Sequence, residues 1–389
     1  MCLRPRVYLG IAMATSTLPE GGRTFDAVGG GLSSGQKSIG KLIILTGSVL
    51  FAATLVFQAL YASGVTKSGF GTWRPVFFAY FLWGAAVIFG QILIRGERGQ
   101  RAAFVLPAVF FTVALVIFPT IFGLYIAFTD WNLSAAVGRR FNGLDNIRAL
   151  WNDPFYWNAF RNMAYYVVAV FFEYAIAFGL AILLNAEIRA RRFFRVVFLL
   201  PFMLSPVAVS WMVGKSIMEN RFGPVARLAR FLGWENPAFF TDPWIARLSI
   251  ELMDAWVFIP LMLILLLAGL QALPKDILEA AKVDGASPWQ TFWRIVFPLM
   301  LPVSVTAILI RIIFKLKLAD IVINVTSGGP GGATDTVSSF IYREYRDRSN
   351  VGYGTALAEF YLIAIVVFIT VALLVTTRWV SRYSSARAG

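Results

Sequence analysis

The chain has 389 residues, 58% hydrophobic and 14% charged, with a mean hydropathy of +0.69 and a formal net charge of +14. Soluble domains carry about 25% charged residues, so composition excludes that class and points to a bilayer. The basic excess is no nucleic-acid footprint, because Lys and Arg lie in short loops between apolar runs rather than on one polar face.

The absence of histidine and the single cysteine, Cys2, exclude an intrachain disulfide, a His/Cys metal site and His-based catalysis. No GxxxxGKS/T phosphate loop is present, and no nucleophile–base constellation stands out. The abundant Phe (35) and Trp (12) suit rings at both lipid–water boundaries.

In chain order, residues 1–41 read as a flexible cytoplasmic tail, Gly/Ser-rich at 29–35. Arg4 and Arg6 ahead of Val7–Ala14 give a faint signal-peptide pattern, and Met13 is an alternative start. A spanning helix needs about 20 mostly apolar residues. Eight runs meet this requirement, at about 42–62, 75–94, 102–128, 158–185, 196–218, 245–273, 295–318 and 352–377. Pro201 and Pro206 in the fifth and Pro260 in the sixth predict kinks, which spans tolerate where neighbours satisfy the freed backbone.

With the N-terminus inside, cytoplasmic segments hold 18 Lys and Arg and outer loops hold 11, the bias expected of inside loops. Arg189, Arg191, Arg192 and Arg195 are the strongest inside marker. Both termini are then cytoplasmic.

Ionisable residues within spans are functional candidates because burying them in hydrocarbon is costly. Here they are Glu173, Lys215, Glu251, Asp254, Arg311, Lys315 and Lys317. Arg311 and Lys315 are four apart and share a helix face. A candidate substrate path comprises Lys215, Asp254, Trp256, Arg311, Lys315 and Asp320, with Trp256 and Phe258 offering ring faces to a sugar. The cations in the fifth and seventh runs raise the expectation of an anionic sugar, uronic or sulfonated. The plainer alternatives are that Glu251 or Asp254 pairs with a cation on a neighbouring helix, and that Lys215 and Lys317 snorkel.

Between the sixth and seventh runs lies a polar segment, 274–302. Pro274 opens a helix carrying Ile277, Leu278, Ala281 and Lys282. Asp284-Gly285-Ala286-Ser287-Pro288 breaks it, with Gly permitting positive φ and Pro288 opening the next helix. Trp289, Phe292, Trp293, Val296 and Phe297 follow at helical spacing. Such a helix–turn–helix at the membrane surface suits docking into a groove on another protein. The alternative is an interfacial helix touching lipid headgroups alone.

The string EAAKVDGASPWQTFWRIVFPLMLP, 279–302, resembles the coupling loop of importer permeases of the ATP-binding-cassette (ABC) class, in particular the carbohydrate, maltose-type ones. Thr326-Ser327-Gly328-Gly329-Pro330-Gly331-Gly332-Ala333-Thr334 resembles their TxGGPG loop, and Leu199-Leu200-Pro201 with Ser205-Pro206 adds support. The resemblance covers about 100–380. Leu318-Ala319-Asp320 departs from the Phe-Asp of many relatives, and the loop 129–157 is too short for a large extracytoplasmic insertion.

The resemblance implies an all-α membrane protein in which 42–94 forms two additional spans and 95–389 a six-helix permease core. It implies that Glu279, Ala280, Ala281, Asp284, Gly285 and Ala286 engage an ATPase subunit. Gly328, Gly329, Pro330 and Gly331 would face an external binding protein. The implied partners are a second homologous permease, two ATP-binding-cassette subunits that bind ATP and Mg, and a periplasmic or extracytoplasmic solute-binding protein. The chain would carry no cofactor and no ATPase site of its own. It would sit in a bacterial cytoplasmic membrane among lipid and pass a carbohydrate. The rival is a self-contained secondary transporter, which calls for an ion-coupling site and commonly repeated halves.

Overall fold

The computed structural model describes residues 33–62, 65–136, 138–186 and 189–388, with side chains to 378. The signal-like stretch and Met13 lie outside the described residues. The elements are α1 (Ser34–Ala62), α2 (Arg74–Arg95), α3 (Glu97–Ala127), α4 (Asp145–Trp151), α5 (Pro154–Asn185), α6 (Arg191–Met203), α7 (Pro206–Ile217), α8 (Pro224–Phe231) and α9 (Pro243–Gln271). They continue as α10 (Lys275–Val283), α11 (Pro288–Thr291), α12 (Phe297–Lys315), α13 (Asp320–Val325), α14 (Val337–Arg346) and α15 (Val351–Ala388). Among the described residues, seven helical segments are long and apolar enough to cross a membrane, or eight if α6 and α7 count as one span.

Two expectations change. The first helix begins at Ser34, eight residues before the apolar run, because Ser33 and Gln36 cap its start reciprocally: the Gln36 N–H donates to Ser33 Oγ at 3.2 Å and the Ser33 N–H to Gln36 Oε1 at 3.1 Å. The fifth run is not one rod: α6 and α7 are bent by 94°. The bend falls at Leu204 and Ser205, which are extended, and Pro206 opens α7. By contrast α9 runs unbroken through Pro260.

The chain divides into two compact units, Met1–Phe118 and Pro119–Gly389. In the first, α1 and α2 pack through small residues: a Cβ at Gly40 would lie 2.9 Å from the Gly90 carbonyl oxygen. Trp83 Nε1 donates to Ser48 Oγ at 3.0 Å, and the Gln58 side chain pairs with both backbone groups of Phe70. Polar groups in an apolar setting are thereby satisfied within the pair.

In the second unit, α5 and α9 each begin at an Asp-Pro step. Asp153 accepts from Phe155 and Tyr156 N–H groups, and Asp242 accepts from Trp244 and Ile245. Tyr156, Met163, Val170, Ala177, Ala181 and Leu184 form the buried stripe of α5, and Ile250, Met253, Val257, Leu263, Leu266 and Leu270 that of α9. The opposite faces expose Phe172 and Leu252, as lipid contact requires. Aligning these stripes brings α5, α9 and α12 together and buries Glu173, Asp254, Arg311 and Lys315.

Candidate functional site

The surface turn at 284–288 is built by local rules. Asp284 ends α10, and Gly285 has φ +73°. The Ala286 N–H donates to the Ala281 carbonyl at 3.0 Å and the Gly285 N–H to the Lys282 carbonyl at 3.1 Å, a Schellman pair. Ser287 then caps α11: its Oγ accepts from the Gln290 N–H at 3.3 Å, and the Ser287 N–H donates to Gln290 Oε1 at 2.9 Å. Each residue of Asp-Gly-Ala-Ser-Pro-Trp-Gln thus has a backbone task or a place on the outer face.

Ala281 is buried, whereas Glu279, Ala280, Asp284 and Gly285 are exposed and Ala286 is half-buried. Val283 is 87% exposed and Trp289 70%, an apolar pair on a polar turn. Behind it Phe292 packs edge-on against Phe178 of α5 at 5.6 Å, in a π-helical stretch, Phe292–Val296, that leads into α12. The turn is anchored to the spanning helices while presenting hydrophobic side chains outward.

Within the helices, five ionisable side chains converge. Arg311 Nε lies 2.5 Å from Glu173 Oε2, its Nη2 3.0 Å from Glu173 Oε1, and it also pairs with Asp254. Lys315 Nζ lies 2.8 Å from Glu173, 2.8 Å from Glu251 and 2.5 Å from Asp254. Phe258 caps the Arg311 guanidinium at 4.6 Å from its ring centroid. Glu173, Glu251 and Asp254 bring carboxylate oxygens within 4.8 Å of one another, spacing that could hold a metal ion. Here the Lys315 ammonium fills that position.

The structure therefore gathers Asp254, Arg311 and Lys315 from the expected path, but not Lys215, Trp256 or Asp320. Lys215 is exposed on α7, Asp320 is exposed in the first turn of α13, and Trp256 lines an apolar cavity. Phe258 rather than Trp256 meets the cluster, because it lies one helical turn from Asp254, on the same face. Arg311 and Lys315 were expected to offer positive charge to cargo. Their side chains are 0% exposed and paired with carboxylates of this chain.

The glycine-rich segment is the third feature, and it is not a loose loop. Ser327, Gly328, Gly331 and Gly332 all have positive φ. Asn162 donates to the carbonyls of Gly332 at 2.9 Å and Asp335 at 3.0 Å, Asn158 to Gly332 at 2.7 Å, and Arg247 to Ala333 at 2.7 Å. Thr334 Oγ1 donates to the Gly329 carbonyl at 2.7 Å. Asp335 pairs with Arg343 and accepts from Ser339 at 2.7 Å. Burial raises the Asp335 carboxyl above its usual range, while the Ser339 hydrogen bond and the Arg343 charge pull it back.

Of the four glycine-loop candidates, Gly331 is exposed, Gly329 and Pro330 are half-buried, and Gly328 is buried against Asp335. Asn158, Asn162 and Arg247 escaped the sequence reading. Their signal was polar side chains at the start of otherwise apolar runs, with the two asparagines four apart on one face.

Comparison with known proteins agrees with this architecture. The family described as binding-protein-dependent transport system inner membrane component matches residues 155–388. A probable ABC transporter permease of Pyrococcus horikoshii is 31% identical over 274 residues, covering 68% of this chain and 91% of that protein. The trehalose/maltose permease MalF of Thermococcus litoralis is 32% identical over 234 residues, 60% of this chain and 79% of the relative. The sulfoquinovosyl glycerol permease SmoG of Agrobacterium fabrum is 30% identical over 264 residues, with 68% and 85% covered. In fold, the chain is similar to a crystal structure of a bacterial ABC transporter importing the acidic polysaccharide alginate, with a TM-score of 0.62 at 22% identity over 72% of this chain and 95% of that one. The chain belongs to the ABC importer permeases, the inner membrane components of binding-protein-dependent transport systems.

Proposed function

We propose that the chain is one of two permease subunits of a carbohydrate importer, moved by ATP hydrolysis in partner subunits that grip the turn at 279–291. The observation that carries this reading is the turn itself, a Schellman pair joined to a capping box that holds exposed Val283 and Trp289 on a polar surface. An isolated permease gains nothing by exposing them to water, whereas a cleft on a cytoplasmic partner would bury them. The carbohydrate class is supported by relatives whose names specify trehalose/maltose and sulfoquinovosyl glycerol transport. The Lys and Arg bias favours cytoplasmic termini, and an external binding protein would deliver the sugar.

Lys315 Nζ sits among the three carboxylates that could otherwise hold an ion among the described residues, which counts against the rival secondary transporter. The test is isolation of the tagged chain from its native host in mild detergent, followed by mass spectrometry, an ATPase assay and uptake of labelled sugars. Recovery of an ATP-hydrolysing subunit and a second permease is expected. Gly285→Asp, at φ +73°, is expected to leave membrane insertion and subunit level intact while abolishing uptake. Recovery of the chain alone, even after crosslinking in cells, would overturn the reading.

A further inference from the structure

The arginines at the start of α6 have no place in the coupling turn or the ionic cluster. With the Gln271 amide oriented to satisfy its neighbours, its oxygen accepts from Arg191 at 2.8 Å and Arg195 at 2.7 Å. Two guanidinium groups thus converge at the last residue of α9. Their Nε–H groups are buried without a hydrogen-bond partner, and no carboxylate pairs with either among the described residues. Leaving such donors unmet is costly, so the site calls for an acceptor with negative charge. The first turn of α6 adds to this, since no side chain caps it.

Within one turn of Arg195 along α6 begins a cavity of about 450 Å³ between α5, α6 and α9. Ile176, Leu180, Phe198, Pro201, Trp256 and Leu263 line it, and every lining residue is apolar or aromatic. A sugar would find no polar partner there. Arg191, Arg195 and Phe198 fall at i, i+4 and i+7, so the guanidinium groups and the cavity wall share one face of α6. Gln271 stands eight residues past Leu263 on α9, roughly 12 Å at 1.5 Å per residue. Cationic donors at the ends of two spanning helices with an apolar slot running inward match an anionic head and its hydrocarbon tail.

We propose that the groove between α6 and α9 binds one anionic phospholipid, with its phosphate on Arg191 and Arg195 and one acyl chain in the cavity. The partner is a lipid and not free phosphate, because the apolar slot begins within one turn of Arg195 on α6.

The test is native mass spectrometry of the purified transporter, in the assembly in which it is isolated, after exchange into phosphatidylglycerol or phosphatidylcholine of identical chains. One phosphatidylglycerol retained in preference to phosphatidylcholine is expected. Arg191→Gln/Arg195→Gln is expected to weaken retention about thirtyfold, from about a fivefold loss per basic residue compounded over the two. Ile176→Trp, at an exposed cavity-lining position, is expected to exclude the chain without touching the arginines. Equal retention of both lipids by the unaltered protein would overturn the proposal, as would unchanged phosphatidylglycerol retention in the arginine variant. If that variant does not assemble, the lipid preference of the unaltered protein and the Ile176→Trp result decide. Retention unaffected by Ile176→Trp would overturn the acyl-chain half.

Discussion

Replacing Lys315 with Met keeps much of the side chain's volume and removes the cation that, among the described residues, alone pairs with Glu251. All three carboxylates lose a contact, but Arg311 still holds Glu173 and Asp254, so the loss falls hardest on Glu251, whose other oxygen is already buried without a partner. Breaking a buried ion pair from one side costs about 3–5 kcal/mol, because the remaining charge is left desolvated. The cluster goes from three carboxylates against two cations to three against one. At about 2–4 °C per kcal/mol for a large domain, the thermal midpoint in mild detergent should fall by about 6–20 °C. Adding Glu251→Gln should recover much of that loss, since it neutralises the orphaned group, whereas adding Asp254→Asn should recover little, because Asp254 keeps Arg311. The assay is thermal unfolding of the single and double variants, read as a double-mutant cycle. A shift below about 2 °C in the single variant, or equal rescue by both second substitutions, would refute the assignment of Lys315 as the cation of Glu251.

Gly328→Ala places a Cβ 2.7 Å from the Asp335 carboxyl carbon and 2.9 Å from Arg343 Nη1, at φ +87°. The Asp335–Arg343 pair should separate, with a loss of about 2–4 kcal/mol measured by thermal unfolding and reduced uptake. Val283→Asp should leave the chain's own stability within about 0.5 kcal/mol, because the side chain is 87% exposed, yet should reduce recovery of the ATPase subunit in pull-downs. Normal uptake in Gly285→Asp would remove the turn from the transport mechanism.

The membrane class, the apolar runs and the geometry of the turn at 284–290 were legible in the sequence because each depends on local order. Hydropathy sums over about 20 neighbours. The turn closes through bonds no longer than Ala281 to Ala286 and Ser287 to Gln290, so the residues from Asp284 to Gln290 carry their own geometry. The 94° bend between α6 and α7 was legible only as prolines: Pro201 and Pro206 mark a weak point, while Pro260 sits in a straight-through helix. Whether such a residue breaks a span depends on what surrounds the freed backbone.

Tertiary structure alone decided what the buried charges do. Arg311 meets Glu173 across 138 positions and Asp254 across 57, and the rotation of each helix about its axis sets whether a cation faces a carboxylate or a pathway. The glycine-rich segment changed meaning for the same reason. Its composition reads as a loop, but Asn158 and Asn162, 174 and 170 positions from Gly332, supply the donors that fix it. Apolar periodicity determined which helices enter the bilayer, and packing determined which polar groups within it neutralise one another, because a charge buried in hydrocarbon is stable only where the fold brings its counter-charge.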